Sequence, residues 1–376
     1  RSIWVTGVQT CALPISNRGR GFDFNTFASE LFRSITVRKT SSADLEEGSL
    51  GATVDLRTGR PFDFDGLTIV TSANGMYNEL ADDISPRGAV LISNTFADGR
   101  FGALVSVAYT ERSLTDVGSS TVRWGVPSGG FGGLAPGYAG TATEDELEDA
   151  FVPRIPRYDN YEHEQDRLGV TASLQFAPSD RTQVNFDALY AEFNAERREV
   201  FLEVPNFSSA ANGMQVADAV LRNDGTFIDG SPKNTIVYGV FNNVDIRSES
   251  RFDELSTEFS QFTLDGSQQL TDSLKLTGLA GYAKADHDNP VQTTLLFDQN
   301  NIASFTYDYR GNDRLPVISY GNTDLTSTTN GTPQTGATST TPSGGWYLSQ
   351  IRLRPQSSVN EFRNYQALYG DRKSVV

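Results

Sequence analysis

The sequence predicts a mainly β chain: a partial antiparallel sheet of the kind that builds transmembrane barrels, preceded by a small mixed α/β element. Three observations predict it. Beyond residue 66 apolar residues recur at period two, short turns alternate with long polar connections, and no stretch nears the roughly 18 to 20 consecutive apolar residues of a membrane helix. The 376 residues are 38% hydrophobic with a mean hydropathy of -0.37. That is too polar for a large dry core, yet ordinary for strands whose two faces meet different surroundings.

The alternation is explicit. In 101–109, Phe101, Ala103, Val105, Val107 and Tyr109 share one face, opposite Gly102, Leu104, Ser106 and Ala108. Leu168, Val170, Ala172, Leu174 and Phe176 repeat the pattern against Arg167, Gly169, Thr171, Ser173 and Gln175. Val184, Phe186, Ala188 and Tyr190 oppose Gln183, Asn185, Asp187 and Leu189, and Leu274 to Tyr282 alternates likewise. A strand of about ten residues at about 3.3 Å each, tilted near 45°, covers about 23 Å, close to the apolar height of an outer membrane. Aromatic residues at Tyr77, Phe96, Phe101, Tyr109, Phe176, Tyr190 and Tyr282 fall near the ends of these segments, where interfacial girdles sit.

Connections of two classes join the strands. Short turns at 97–100 (ADGR), 177–181 (APSDR) and 270–273 (LTDS) use the Gly, Pro, Asp and Ser of tight hairpins. Long connections are expected at 113–165, at 205–233 and from about 286 onward. A soluble sandwich has no reason to sort its loops by length between its two ends, whereas outer-membrane barrels do so.

Charge and composition remove several function classes. A net charge of -16 and a pI near 4.6 would repel nucleic acid, so no nucleic-acid partner is expected. Cys11 is the only cysteine, which leaves no intramolecular disulfide and no thiolate cluster. The two histidines, His163 and His287, stand far apart in polar segments and read as solvated loop residues. No catalytic constellation, metal site or cofactor is expected, and hence no enzyme.

Both ends differ from the rest. Residues 1–16 carry the only Cys, lack any period and lack the pattern of a signal peptide. They and the closing 371–376 read as translated adapter sequence outside the natural protein. The remainder divides into 17–64, a small α/β element, and 65–370, the strand-rich part. Within 21–64 a short helix is expected at 26–32, a strand at 34–39, a turn or helical segment at 42–47 and a second strand at 52–57.

This segment resembles the C-terminal half of the plug domain of TonB-dependent outer-membrane receptors. There a strand of the form I-x-V-x-K leads through S-A-D and G-x-x-G-x-T-V-D-L to R-P at the junction with the barrel. Here these are Ile35, Val37 and Lys39, then Ser42, Ala43 and Asp44, then Gly48, Gly51, Thr53, Val54, Asp55 and Leu56, then Arg60 and Pro61. The stretch 305–320 (FTYDYRGNDRLPVISY) also looks like an outer-side region in the branch of this family common in xanthomonads and caulobacters. The siderophore-receptor strand E-R-I-E-V-L-R-G-P is replaced by RSITVRKTS at 33–41.

The resemblance implies a fragment of a barrel of about 22 strands around a plug, located in the bacterial outer membrane. It implies active import of a small nutrient, energised by TonB and its inner-membrane complex, with outer-membrane lipid as the surrounding partner. The departure from the siderophore form favours an oligosaccharide or related polymer-derived nutrient; siderophore-iron or cobalamin uptake is the alternative cargo. The signal peptide, the TonB contact segment and the remaining strands are expected to lie outside this chain, which is then expected neither to transport nor to fold stably alone. A passive porin or structural barrel is the competing class, and a porin has no plug.

Loop residues supply the ligand candidates. Trp124, Phe131 and Tyr138 surround the glycine-rich run 128–137, which lacks the phosphate-binding pattern and reads as a flexible loop. They could stack on sugar rings or simply pack on their neighbours. The acidic stretch 144–166 reads as a solvated loop whose spacing differs from the calcium-binding loop of EF-hands. Residues 323–345, rich in Thr, Ser, Gly and Asn, read as a mobile surface loop.

Overall fold

A computed structural model describes residues 28–39, 53–205, 207, 213–228, 230–321, 323–327, 329–333 and 342–371. Ala43, Asp44, Gly48 and Gly51, the expected segment at 42–47, and residues 1–16 and 372–376 of the two suspected adapter ends lie outside the described residues, while Asp371, the first residue of the closing stretch, ends a strand. The described chain is dominated by strands. In order they are β1 (Phe32–Arg38), β2 (Thr53–Thr58), β3 (Thr68–Asn78), β4 (Asp83–Phe96), β5 (Phe101–Ser120), β6 (Trp124–Gly125), β7 (Val152–Pro153), β8 (Arg157–Ser179) and β9 (Thr182–Glu203). They continue with β10 (Gln215–Thr226), β11 (Pro232–Asn242), β12 (Val244–Gln269), β13 (Leu274–Ile302), β14 (Phe305–Asp308), β15 (Val317–Tyr320), β16 (Tyr347–Leu353) and β17 (Gln356–Asp371). Among the described residues no helix is long and apolar enough to cross a membrane.

One nine-stranded antiparallel sheet organises the chain, in the order β3-β4-β5-β8-β9-β12-β13, with β17 and β16 pairing the lower and upper parts of β13. The sheet does not close, since β3 and β17 do not pair with each other. Turns at 97–100, 180–181 and 270–273 lie at one end. The opposite end carries 121–156, 204–243 and 303–346, but also the four-residue connection 79–82 between β3 and β4. Loops are therefore sorted as expected, with that one short exception.

The alternation sorts the two faces in an unusual sense. Near the turn end Val105, Val107, Leu174, Phe176, Val184, Phe186, Phe262 and Leu264 are all exposed. Between them Ser106, Thr171, Ser173, Gln175, Asn185, Asp187 and Thr263 are buried. A protein folded around an oily core in water does the reverse. The buried polar atoms are paired with one another, as burial demands: Ser106 Oγ and Thr171 Oγ1 lie 2.7 Å apart across β5 and β8, and Ser173 Oγ donates to Asp187 Oδ1 at 2.6 Å.

The strands outrun the expected ten residues. β8, β9, β12 and β13 have 23, 22, 26 and 29 residues, and the longest spans about 95 Å at about 3.3 Å per residue. The long connection placed at 113–165 shrinks accordingly to 121–156, and the acidic stretch 144–166 is mostly not a loop. It holds a five-residue helix, Glu144–Glu148, capped by Thr143 and Glu146, and then the start of β8. Apolar alternation fades beyond Tyr109 and Leu168, so hydropathy stops marking the strand. Cross-strand ion pairs continue the ladder instead: Arg157–Glu203 at 3.4 Å, Arg247–Asp298 at 2.8 Å and Arg197–Asp253 at 2.8 Å.

At the loop end β10, β11, β14 and β15 form a second, four-stranded antiparallel sheet around an aromatic core. Phe207 meets Phe241 edge-on with centroids 4.8 Å apart, and Phe241 stacks on Tyr307 at 5.6 Å. Tyr158 ties this lobe to β8, donating from its hydroxyl to Pro316 O at 2.8 Å and accepting from Ile318 N at 2.9 Å. The connection expected at 205–233 thus contains β10. The stretch 305–320, which the resemblance placed on the outer side, supplies the hairpin of β14 and β15.

Candidate functional site

Residues 28–39 and 53–64 dock on the covered, polar face of the large sheet. The expected helix at 26–32 is, in its described part, a single 3-10 turn at Ser29–Leu31 that gives way at once to β1. β1 and β2 pair as an antiparallel hairpin, in which Ile35 faces Leu56 and Val37 faces Val54. Leu31, Leu56 and Ala28 are buried against Ala108, Leu189, Ala191, Phe259 and Ala285 of the sheet. Ile35 and Val37 remain exposed, as does Lys39.

Two glycines of the sheet make this approach possible. A Cβ on Gly169 of β8 would lie 2.2 Å from Leu31 Cδ1, and one on Gly102 of β5 would lie 2.5 Å from Pro61 Cβ. Both positions fall on the covered face, where the hairpin and the turn after it press closest.

The tightest join is at Arg60 and Pro61. Pro61 begins a 3-10 turn, Pro61–Asp63, where its missing N–H costs nothing and its fixed φ suits the turn. Asp63 accepts from Arg60 N at 3.1 Å and pairs with Arg33 at 2.9 Å and Arg57 at 3.3 Å, which holds the turn to the hairpin. The Arg60 guanidinium is buried and donates to both Asp187 of β9 and Asp265 of β12.

Around it runs a closed circuit of hydrogen bonds. Phe62 N donates to Gln175 Oε1 at 2.7 Å, Gln175 Nε2 to Asn185 Oδ1 at 2.8 Å, and Asn185 Nδ2 to Asp265 Oδ2 at 2.7 Å, which returns to Arg60. Three strands are thereby tied to two residues of one turn. One cation between a buried carboxylate, Asp187, and a half-buried one, Asp265, is tolerable because Ser173 and Asn185 donate to them as well.

Beyond the apolar stretch, the same face changes sign. Arg112 of β5, Arg167 of β8 and Arg197 of β9 converge on His163. The imidazole is not a solvated loop group: it sits within β8, and burial together with the three guanidinium charges lowers its pKa to about 4. His287 lies in β13, buried, with Nδ1 3.0 Å from Thr257 Oγ1. Both histidines were misplaced for the same reason: their neighbours are polar because this face is polar, not because the chain has left the sheet.

The three aromatic ligand candidates lie in the loop-end lobe. Phe131 is buried against Phe241 with centroids 5.9 Å apart, Trp124 meets Tyr309 edge-on at 5.0 Å, and Tyr138 packs partly buried against the same core. The glycine-rich run that carries Phe131 is not loose: Gly132 N donates to Met214 O at 2.7 Å and Ala135 N to Val216 O at 2.8 Å. In the stretch expected to be mobile, Trp346 Nε1 donates to Leu325 O at 3.1 Å and Gly331 N to Trp346 O at 2.9 Å, while 334–341 lie outside the described residues.

Missed by sequence reasoning were Asp187 and Asp265 as partners of Arg60, and Gln175 and Asn185 as the amides that link Phe62 to Asp265. Their signal was available as polar residues at every second position, opposite an apolar set. No protein-family model, no curated protein and no solved structure matches this chain.

Proposed function

We propose that the chain is part of a TonB-dependent receptor of the bacterial outer membrane, importing a small nutrient, with an oligosaccharide as the leading cargo. In this reading the large sheet is a portion of barrel wall. Its exposed apolar band faces lipid, and its covered polar face lines the lumen. The turn end is periplasmic and the loop end, with its aromatic lobe, is extracellular. Residues 28–64 are the last part of the plug.

The observation that carries the reading is the Arg60 circuit. A segment that merely connects to a wall has no need of a buried guanidinium shared by two strands, whereas a plug that must stay seated against the wall does. A pore without a plug would leave Asp187, Asp265 and Gln175 facing water with no partner from 28–64.

Uptake in cells provides the test. A host expressing the complete reading frame should accumulate cargo only while TonB and the inner-membrane proton gradient are intact. Uptake that persists at the same rate without TonB would replace this reading with passive diffusion.

A further inference from the structure

We propose that the upper edge of β5 is a docking site for an extended cationic peptide, which adds to the sheet as an antiparallel strand and lays its basic side chains over the acidic cleft beside that edge. The inference goes beyond the uptake reading and stands without it, since it needs only the edge and the cleft.

β5 loses its neighbour on one side halfway along. Its pairing with β4 stops at Arg87 and Thr110, whereas its pairing with β8 runs on without a shift from Glu111 opposite Asp166 to Ser120 opposite Arg157. Pro86 accounts for the stop, because in the position opposite Glu111 it has no N–H to donate. Ser85 Oγ instead accepts from Ser113 N at 2.9 Å, and β4 reaches its end at Asp83.

A strand residue directs its N–H and C=O to one side, and alternate residues share that side. Since Ser113 N turns toward β4, the N–H and C=O groups of Thr115, Val117 and Ser119 face the open edge. Among the described residues no strand pairs with them there. Open edges are usually blunted by proline, lysine or a bulge. The stretch 111–120 (ERSLTDVGSS) has none of these, and Val117 is 61% exposed.

The chemistry of the occupant follows from the face on which these side chains lie. Ser113, Thr115 and Val117 stand opposite Glu164, Glu162 and Asn160 of β8, and Glu111 stands opposite Asp166. Glu111, Glu164 and Asp166 line one cleft together with Glu196 and Glu254. Across β5, β8 and β9 the single cation of these four rows is Arg198, opposite Glu162. An added strand would lie about 4.8 Å from β5 and about twice that from β8. The β5 side chains in between are short, so a lysine stem reaches over them to Glu164 and Glu162. Main-chain bonds then supply affinity and the carboxylates select charge.

Fluorescence anisotropy of labelled decapeptides with the purified protein in detergent tests this. In a peptide of alternating Lys and Thr, lysines over the cleft stand opposite Thr115 and Val117, so their own N–H groups point at β5 and those of the threonines point away. We expect this peptide to bind, more weakly as salt rises. A Glu-Thr peptide should bind at least about tenfold more weakly, as like charges demand. Backbone N-methylation at the lysines should weaken binding at least about tenfold, the loss of main-chain hydrogen bonds, whereas the same change at the threonines should leave it within about twofold.

Val117→Pro removes an outward N–H without touching a bond to β8 and should weaken binding about tenfold. The methylated pair uses the unaltered protein and decides alone where Val117→Pro disturbs folding. Equal binding of the two methylated peptides, no binding of the Lys-Thr peptide, equal binding of the Glu-Thr peptide, or unchanged affinity in a folded Val117→Pro would overturn the proposal.

Discussion

The turn-end and loop-end halves of the same strands solve the problem of cohesion by different means. Near the turns the open face is apolar, with Val107, Leu174 and Phe186 exposed, and the covered face is joined by hydrogen bonds to 28–64 through Arg60. Near the loops the open face is charged, the ladder is reinforced by ion pairs, and cohesion passes to the aromatic core around Phe241 and Tyr307. The backbone pairing is continuous across both, for example from Arg157 to Phe176 against Glu203 to Val184. The difference lies in what surrounds the strands. On the proposed reading, one half is shaped for a low-dielectric environment outside and polar contacts within, the other for water on the outside.

The largest expected effect is at Arg60. Arg60→Leu would leave the buried Asp187 and the half-buried Asp265 without their cation and should cost about 3–5 kcal/mol, read as a lower denaturant midpoint of the purified protein in detergent. Changing both aspartates to Asn in the same background should recover part of that loss. If Arg60→Leu alone were neutral, the buried pairing would not be what seats the segment.

Next comes the open face. Phe186→Arg in the apolar band should destabilise the protein in a bilayer by about 2–4 kcal/mol. Glu196→Arg, on the open face of the same strand ten positions further on, should stay within about 0.5 kcal/mol. Comparable effects at the two sites would erase the distinction between the halves.

The pH dependence follows from His163. Its folded pKa, about 4, lies below the usual histidine value of 6.5, so the unfolded chain takes up the proton first. Its contribution is complete above about pH 6.5 and is lost as the pH falls toward 4. His163→Gln should flatten the stability profile across that window. An unchanged slope would mean that the imidazole is hydrated after all.

Smallest of all is the turn-end surface. Arg181 and Asp272 meet at 2.9 Å with both side chains exposed, and Arg181→Ala should cost no more than about 1 kcal/mol.

Much of this architecture is written in the order of residues, and the part that is not has a physical reason. The strands at 101–109, 168–176, 183–190 and 274–282 are legible because one face is apolar without interruption, and the short turns because Gly, Pro, Asp and Ser announce them. The upper strands are not legible, because from Tyr158 to Arg167 both faces are polar and period two in hydropathy vanishes. Only the register shows that Glu162 and His163 continue the ladder opposite Arg198 and Arg197. The helix at Glu144–Glu148 was announced by Thr143 and Glu146 three residues apart, a capping pattern hidden among carboxylates. Arg60 and Pro61 were singled out by resemblance. Their partners 127 and 205 residues away could not be, since no local pattern encodes which strand a guanidinium will meet.

The central claim is that the face carrying Phe186 meets lipid and the face carrying Asp187 does not. Trp fluorescence in bilayers whose acyl chains carry bromine tests it most directly. A tryptophan introduced as Phe186→Trp or Val107→Trp should be strongly quenched above the background of the native tryptophans, while Thr171→Trp on the covered face should not. Equal quenching on both faces, or none on either, would contradict the account.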